Sequence, residues 1–201
     1  MNNTSLRVNR LSESATIAMA RKARELKSQG QDVISLSLGE PDFNTPDFIK
    51  DAAKQGIDQN YSKYMPVNGY LDLREAISKK FSRDNDINYT ADQIVVSTGA
   101  KQSIANVVLS CVNPGDEVIV PAPFWVSYEE IIKMAEGTPV FIETSIENDF
   151  KITPSQLKNA ITDKTKMMIY SSPCNPSGSV YSKDELRSLA DVLVNYPLIT
   201  I

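Results

Sequence analysis

Short apolar runs alternate with helix-like segments over the second half of the chain, and this alternation limits the folds that the chain can form. The runs lie at residues 93–97, 117–120, 140–143 and 167–171, and LITI at residues 198–201 begins a fifth. Strands that alternate with helices are joined by right-handed crossovers and pair in a mostly parallel sheet. The sequence therefore predicts an α/β fold whose sheet is built from residue 93 onward.

Helices are predicted between these runs and before them. After the apolar run at 93–97, helices are predicted at residues 101–111, 126–136 and 153–161. A capping box of Ser182 and Glu185 predicts a further helix that reaches about residue 195. Before the run at 93–97, helical spacing covers residues 14–29 and 70–83. Thr45 is predicted to cap a further helix whose first residue is Pro46 and which reaches about residue 59.

The composition excludes several kinds of chemistry. The chain has no histidine, so Ser-His and Cys-His catalysis and histidine-ligated metals are excluded within these residues. Acid–base chemistry near neutral pH then needs a lysine, tyrosine or carboxylate whose pKa is shifted toward neutrality, or a cofactor. Cys111 and Cys174 form no CxxC pair, so neither a disulfide framework nor a metal site is predicted.

Charge and hydropathy also restrict the partners. The net charge is −4 and the estimated pI is about 5.0, which predicts no nucleic-acid partner. No apolar run approaches the roughly 20 residues that a membrane-spanning helix needs. The polar start, MNNTSLRVNRLSES, lacks the apolar core of a signal peptide. We therefore expect a cytoplasmic protein with no membrane partner.

The loops that follow the predicted strands are the candidate sites, because ligands of parallel sheets lie beyond the carboxyl ends of the strands. In STGAKQS, Gly99 and Lys101 could cradle a phosphate at a helix start, or form an ordinary strand-to-helix turn. In PAPFWVSY, Trp125 could stack on a planar cofactor or belong to the core. In SSPCNPSG, Asn175 could donate to a phenolate-like oxygen or serve a structural turn.

Five segments taken together carry a family resemblance. SLGEPDF, YMPVNGYLDLREAI, STGAKQSI, GDEVIVPAPFWVSY and SPCNPSG, in this order, resemble the class I and II aminotransferases of pyridoxal-phosphate (PLP) fold type I, above all the bacterial aspartate aminotransferases. NPSG stands where that family usually has NPTG. The resemblance covers the chain from about Ser12 onward. It implies a three-layer α/β/α fold, with residues 1–44 as an N-terminal arm and small-domain segment and residues 45–201 as an incomplete PLP-binding large domain.

The resemblance also implies which residues bind the cofactor, pyridoxal 5'-phosphate. Gly99, Ala100 and Lys101 would face its phosphate. Trp125 would stack on its pyridine ring, and Asn175 would hydrogen-bond the ring hydroxyl. Trp125 and Asn175 would also border the bound substrate.

Substrate and dimer contacts follow from the same resemblance. The backbone N–H of Gly39 would bind the α-carboxylate of the amino acid, and Lys101 would read an acidic side chain as a point charge. Tyr64 would reach across a homodimer interface to the partner's phosphate. The implied reaction is transfer of an amino group between an amino acid, expected to be aspartate, and a 2-oxo acid.

No lysine here matches the family's Schiff-base motif, and the acidic and arginine segments expected after residue 201 are not in the sequence. We therefore expect these residues to lack the catalytic base, to be inactive alone, and to leave the strand at 93–97 without a neighbour. Three alternatives stay open: an aminotransferase or β-lyase for an aromatic or other amino acid, a non-catalytic dimerisation partner, and a generic phosphate-binding α/β domain.

Overall fold

A computed structural model describes residues 3–201 of the chain. In this range the helices are α1 Leu6–Asn9, α2 Ala15–Ser28, α3 Asp47–Asp58, α4 Leu71–Asn85, α5 Ala100–Cys111, α6 Ser127–Met134, α7 Pro154–Ala160 and α8 Lys183–Leu193. The strands are β1 Glu117–Pro121, β2 Thr138–Ile142, β3 Thr165–Met168 and β4 Ile199–Thr200. Two short 3-10 turns cover Ala91–Gln93 and Ile146–Asn148.

The chain divides into two compact units, which we describe separately. The first contains the described residues up to Asp32 together with Ile104–Ile201, and the second is Val33–Ser103. The sequence-based boundary between residues 44 and 45 refers to the complete fold of the family and stays a prediction.

The first unit is built on a parallel sheet of four strands in the order β2-β1-β3-β4. Glu117 of β1 lies opposite Thr138 of β2 and Thr165 of β3, so β1 is paired on both sides. The predicted parallel sheet is thus confirmed, although β2 and β3 each begin two residues before the predicted start. The carboxyl ends of β1 and β3 lie beside each other, which brings the loops that follow them to the same edge.

Alternate residues of the inner strands bury two opposite faces of the sheet. Val118 and Val120 of β1 are fully buried in a cluster with side chains of α5 and α6, including Val108 and Ile132. Ile119 faces the other way, into a cluster with Met168 of β3, Leu157 of α7 and Leu189 of α8. Burying one such aliphatic side chain stabilises the fold by about 1.5–3 kcal/mol relative to exposure. Helices therefore cover both faces, and the expected three-layer α/β/α arrangement is confirmed.

Local capping signals correctly placed two helix starts. Thr153 and Ser182 are the N-caps of α7 and α8, and each forms a capping box with the residue three positions later. The prediction for α3 was wrong in detail, because Pro46 is the N-cap and Thr45 does not cap the helix. The backbone of Pro46 has ψ 143°, which lies outside the helical region, so the helix begins at Asp47.

The predicted strand at residues 93–97 is wrong. Its first residue ends the 3-10 turn, and residues 94–97 are not assigned to a strand. The Val96 N–H donates to the carbonyl of Asn68 at 3.1 Å, while the side chain of Val95 is exposed. Within residues 3–201 no neighbouring strand pairs with this segment, so an apolar run with strand propensity stays extended and unpaired. This matches the expectation that the segment would lack a neighbour.

In the second unit a buried arginine holds the turn before α4. Arg74 is almost fully buried, and its guanidinium donates to the carbonyls of Gly69 at 3.1 Å and Ala91 at 2.6 Å. Asp92 lies 3.5 Å from the same group. A buried charge that loses its hydrogen-bond partners lowers the stability of the fold. The bonds of Arg74 therefore hold the turn before α4 against the segment that precedes residue 94.

Two observations concern partners. Among residues 3–201, no helix has both the length and the apolar character that crossing a membrane requires. In that same range, His, Cys, Asp and Glu side chains do not gather in groups of three that could hold a metal ion. The predicted absence of a nucleic-acid partner and the predicted cytoplasmic location stay predictions.

Gly69 should not tolerate a side chain. Its φ is +94°, and a Cβ there would lie 2.6 Å from Cγ2 of Val96. We expect Gly69→Ala to lower the free energy of unfolding by about 1–3 kcal/mol. Gly56→Ala is the matched control, because a Cβ at this helical position in the same unit meets nothing within 4 Å and should raise stability by about 0.5–1 kcal/mol. Urea unfolding followed by circular dichroism compares the two variants. Equal unfolding midpoints would contradict the expected clash between a side chain at Gly69 and Val96.

The Glu185 carboxylate should make the fold sensitive to acid. It accepts the Ser182 N–H at 2.6 Å, and this bond, more than the Lys151 ammonium 3.3 Å away, holds the pKa of Glu185 below that of an ordinary glutamate. A carboxyl whose pKa falls on folding stabilises the protein above its unfolded pKa, and that stabilisation is lost as the pH falls through the folded pKa.

We therefore expect Glu185→Gln to reduce the urea midpoint at pH 7 and to have a smaller effect at pH 3. Glutamine can still accept the Ser182 N–H, so the capping geometry is kept and only the charge is removed. The same reduction at both pH values would show that the charge is not the cause.

Candidate functional site

The predicted phosphate turn lies at the start of α5. Gly99 has φ +84° and is followed directly by the first helical residue, Ala100. The Gly99 carbonyl accepts the N–H groups of Gln102 at 3.1 Å and Ser103 at 3.4 Å, and the Thr98 N–H donates to the Gln102 side chain. A Cβ at Gly99 would meet nothing within 4 Å, so the backbone conformation and not a lack of space favours glycine.

The surface at this helix start is open. Gly99, Ala100 and Lys101 are all exposed. The first N–H groups of a helix have no acceptor within the helix itself, and the helix dipole favours an anion there. An exposed start of a twelve-residue helix, with a lysine in its first turn, has the chemistry of a phosphate-binding turn.

The other two predicted residues of this unit lie in irregular segments. Gly39 lies before α3, and an added Cβ there would meet nothing within 4 Å. Tyr64 lies between α3 and α4, and its side chain is fully exposed. Both are accessible, and their roles toward substrate and partner remain predictions.

In the first unit, Trp125 lies in the loop that follows β1. Its indole is half-buried and meets the ring of Tyr128 edge-on, with centroids 5.6 Å apart. The neighbouring Phe124 stacks on Phe141 of β2, with centroids 5.0 Å apart. Tyr128 is buried in the core, and Trp125 packs against the same cluster but is only half-buried, so part of the Trp125 side chain stays accessible.

Asn175 lies in the loop that follows β3, where the peptide bonds before Pro173 and Pro176 are cis. The loop closes on itself, because the Cys174 N–H donates to the Ser179 carbonyl at 2.9 Å and the Gly178 N–H donates to the Cys174 carbonyl at 2.7 Å. The residue Asn175 is exposed. Its amide is thus presented from the rim of a closed turn.

A thiol joins the loops of Trp125 and Asn175. The Sγ of Cys174 donates to the carbonyl of Pro123 at 3.3 Å. The structure thus brings together the segments of two predicted site residues. The sequence did not predict this role of Cys174, which was considered only for a disulfide or a metal site. The available signal was its position directly before Asn175.

Behind the Asn175 loop lies a charged cluster that the sequence interpretation also missed. The Lys151 ammonium lies 3.2 Å from Asp149 and 3.3 Å from Glu185, and the hydrogen bond with Asp149 is the main cause of its raised pKa. Tyr181 accepts the Ile152 N–H at 2.9 Å, and burial raises the pKa of its phenol. Lys151 is therefore charged at neutral pH and engaged in holding the structure.

The donor groups fit the parts of pyridoxal phosphate, each within its own unit. In the second unit, the exposed helix start after Gly99 suits a phosphate. In the first unit, the partly exposed Trp125 ring suits an aromatic ring, and the exposed Asn175 amide can donate to a phenolate-type oxygen.

Comparison with known proteins agrees with this chemistry. The aspartate/prephenate aminotransferase of Nitrosomonas europaea is 51% identical over 197 residues, which are 98% of this chain and 50% of that protein. The aspartate aminotransferase of Bacillus subtilis is 46% identical over 97% of this chain and 50% of its own length. The chain thus spans about half the length of the curated relatives that it matches.

A solved structure shows the same relation in three dimensions. The structure of Thermus thermophilus aspartate aminotransferase with maleate superposes with a TM-score of 0.95 at 42% identity, over 100% of this chain and 52% of that one. The sequence model of the family "aminotransferase class I and II" matches residues 31–201. The chain belongs to the class I and II aminotransferases, a family of enzymes.

Proposed function

We propose that the protein to which these residues belong transfers an amino group from aspartate to a 2-oxo acid, with pyridoxal 5'-phosphate as cofactor. The observation that carries the proposal is the family match, together with relatives named as aspartate aminotransferases over nearly the whole chain. The loops of Trp125 and Asn175, joined at the carboxyl edge of a parallel sheet, support it.

Residues of this chain would bind and orient the cofactor. The helix start at Gly99, Ala100 and Lys101 would hold its phosphate through N–H donors and positive charge. Trp125 would cover one face of the ring, and the Asn175 amide would donate to the ring hydroxyl. When bound, the cofactor supplies an electron-withdrawing ring that makes the α-proton of the amino acid removable.

Two residues would select the substrate. The Gly39 N–H would bind the α-carboxylate, and the space on the Cβ side of this residue is open, since an added Cβ would meet nothing within 4 Å. Lys101 would attract the second carboxylate of a dicarboxylic amino acid, which favours aspartate over neutral amino acids. Trp125 and Asn175 would border the bound amino acid.

The proposed assembly is a homodimer. Tyr64 is fully exposed, and several apolar side chains in its unit are exposed with it, among them Met65 and Val67. Exposed apolar surface of this kind marks interfaces. The Tyr64 hydroxyl would reach the phosphate bound by the partner.

The Schiff-base lysine is proposed to lie outside these residues. None of the lysines here stands in the family's lysine motif, and the relatives are about twice as long as this chain. Residues 1–201 would then supply part of the cofactor site and no catalytic base, and would be inactive alone.

A second candidate concerns the amino acceptor. Six relatives, at 46–51% identity, are named aspartate/prephenate aminotransferase, four of them with the word probable. Prephenate is itself a 2-oxo acid, so it is the second candidate for the acceptor. One assay with several substrates decides between these candidates. Comparing amino acceptors distinguishes prephenate from a simple 2-oxo acid, and comparing amino donors distinguishes aspartate from an aromatic amino acid.

The alternative of a non-catalytic dimerisation partner predicts heterodimers with a full-length relative and no activity.

Replacing Lys101 should test the proposed substrate directly. In the enzyme containing these residues, we expect Lys101→Gln to raise KM for aspartate at least tenfold, as expected for the loss of a charged hydrogen bond. KM for alanine, which lacks the second carboxylate, should change much less. Lys79→Gln, at an exposed lysine of α4, is the control. Parallel increases for both amino acids would argue against side-chain recognition, and no amino transfer by the unaltered enzyme would overturn the proposed function.

A further inference from the structure

The loop that carries Asn175 is anchored just before this residue. All the polar groups of Cys174 are used: its N–H donates to Ser179, its carbonyl accepts from Gly178, and its Sγ donates to the carbonyl of Pro123. The first two bonds close the loop, and the third ties it to the loop of Trp125. Because Cys174 adjoins Asn175 and Pro123 is two residues from Trp125, this bond limits how far the two side chains can separate.

A second anchor follows Asn175. Ser179 is buried, and its Oγ donates to Asp149 at 3.3 Å and lies 3.2 Å from the Oγ of Ser177. Asp149 is itself held by the Lys151 ammonium at 3.2 Å. The second end of the loop is therefore held by Asp149, which is paired with Lys151. The same lysine also pairs with Glu185 of α8.

We infer that Cys174 and Ser179 are positioning residues, which hold the Asn175 amide at a set distance from the Trp125 ring. Neither is proposed to touch the cofactor; each acts through the loop. The inference rests on the proposed function, because this pair of side chains is where the cofactor ring would bind. A single bond would leave the loop free to pivot, whereas bonds on both sides of Asn175 fix its orientation.

Four substitutions separate hydrogen bonding from packing. Cys174→Ala removes the donor and the volume of the sulfur, Cys174→Val fills the volume without a donor, and Cys174→Ser keeps a donor. Ser179→Ala removes the second anchor. Cys111→Ala is the control, since Cys111 is also half-buried but lies at the end of α5.

The first readout needs no cofactor. In ¹⁵N-labelled protein, the Trp125 indole signal is identified by its loss in Trp125→Phe, and the Asn175 side-chain signals by their loss in Asn175→Asp. We expect both sets to shift in Cys174→Ala and Cys174→Val, to return close to their original positions in Cys174→Ser, and to stay in place in Cys111→Ala. Ser179→Ala should shift the Asn175 signals. Unmoved signals in the Ala and Val variants, or recovery in Val, would overturn the inference.

The second readout is the dissociation constant of pyridoxal phosphate. We expect it to rise about twofold to tenfold in Cys174→Ala, Cys174→Val and Ser179→Ala, the range for loss of one hydrogen bond, and to be nearly unchanged in Cys174→Ser. Shifted signals with unchanged affinity would overturn the positioning role. If the unaltered protein does not bind pyridoxal phosphate while the signals shift as expected, the proposed function fails and the anchoring of the loop stands.

Discussion

The pairing of β1 with β2 on one side and β3 on the other determines where the loops of Trp125 and Asn175 emerge. Because β1 and β3 are parallel neighbours, their carboxyl ends lie at one edge, and the loops of Trp125 and Asn175 leave the sheet side by side. Alternate side chains of β1 enter two separate cores, so the strand cannot shift by one residue without turning buried valines and Ile119 to the wrong face. The position of each loop is therefore as well defined as the packing of the sheet.

Features decided by neighbouring residues could be predicted from the sequence. The helix starts at Thr153 and Ser182 depend on residues close by in the sequence, and both occur as expected, the second with its predicted capping box. The alternation of strands and helices predicted the parallel sheet, because crossover geometry leaves few other arrangements, and the sheet is present. The resemblance supplied the family and the expected site residues, and the family is confirmed.

Features that depend on distant partners were missed or wrong. Residues 93–97 have the composition of a strand, yet a strand needs a neighbour, and the described residues provide none. Likewise, the position of Cys174 directly before Asn175 marks it as part of a candidate site loop, but it does not identify the partner of the thiol, Pro123, which lies 51 residues earlier. Ser179 gives no local sign that it is buried against Asp149. Such contacts arise from the packing of the whole sheet.

Under the proposed function, these residues would bind pyridoxal phosphate through non-covalent contacts alone. This binding can be measured by adding pyridoxal phosphate to the 201-residue chain and following the fluorescence of its only tryptophan, Trp125. Reduction with borohydride and mass spectrometry then show whether any lysine has been labelled. We expect saturable quenching that is much weaker with pyridoxal, which lacks the phosphate, and no lysine labelled in stoichiometric amount. Equal quenching by both compounds, or full labelling of a single lysine, would rule out a non-covalent phosphate-dependent site in these residues.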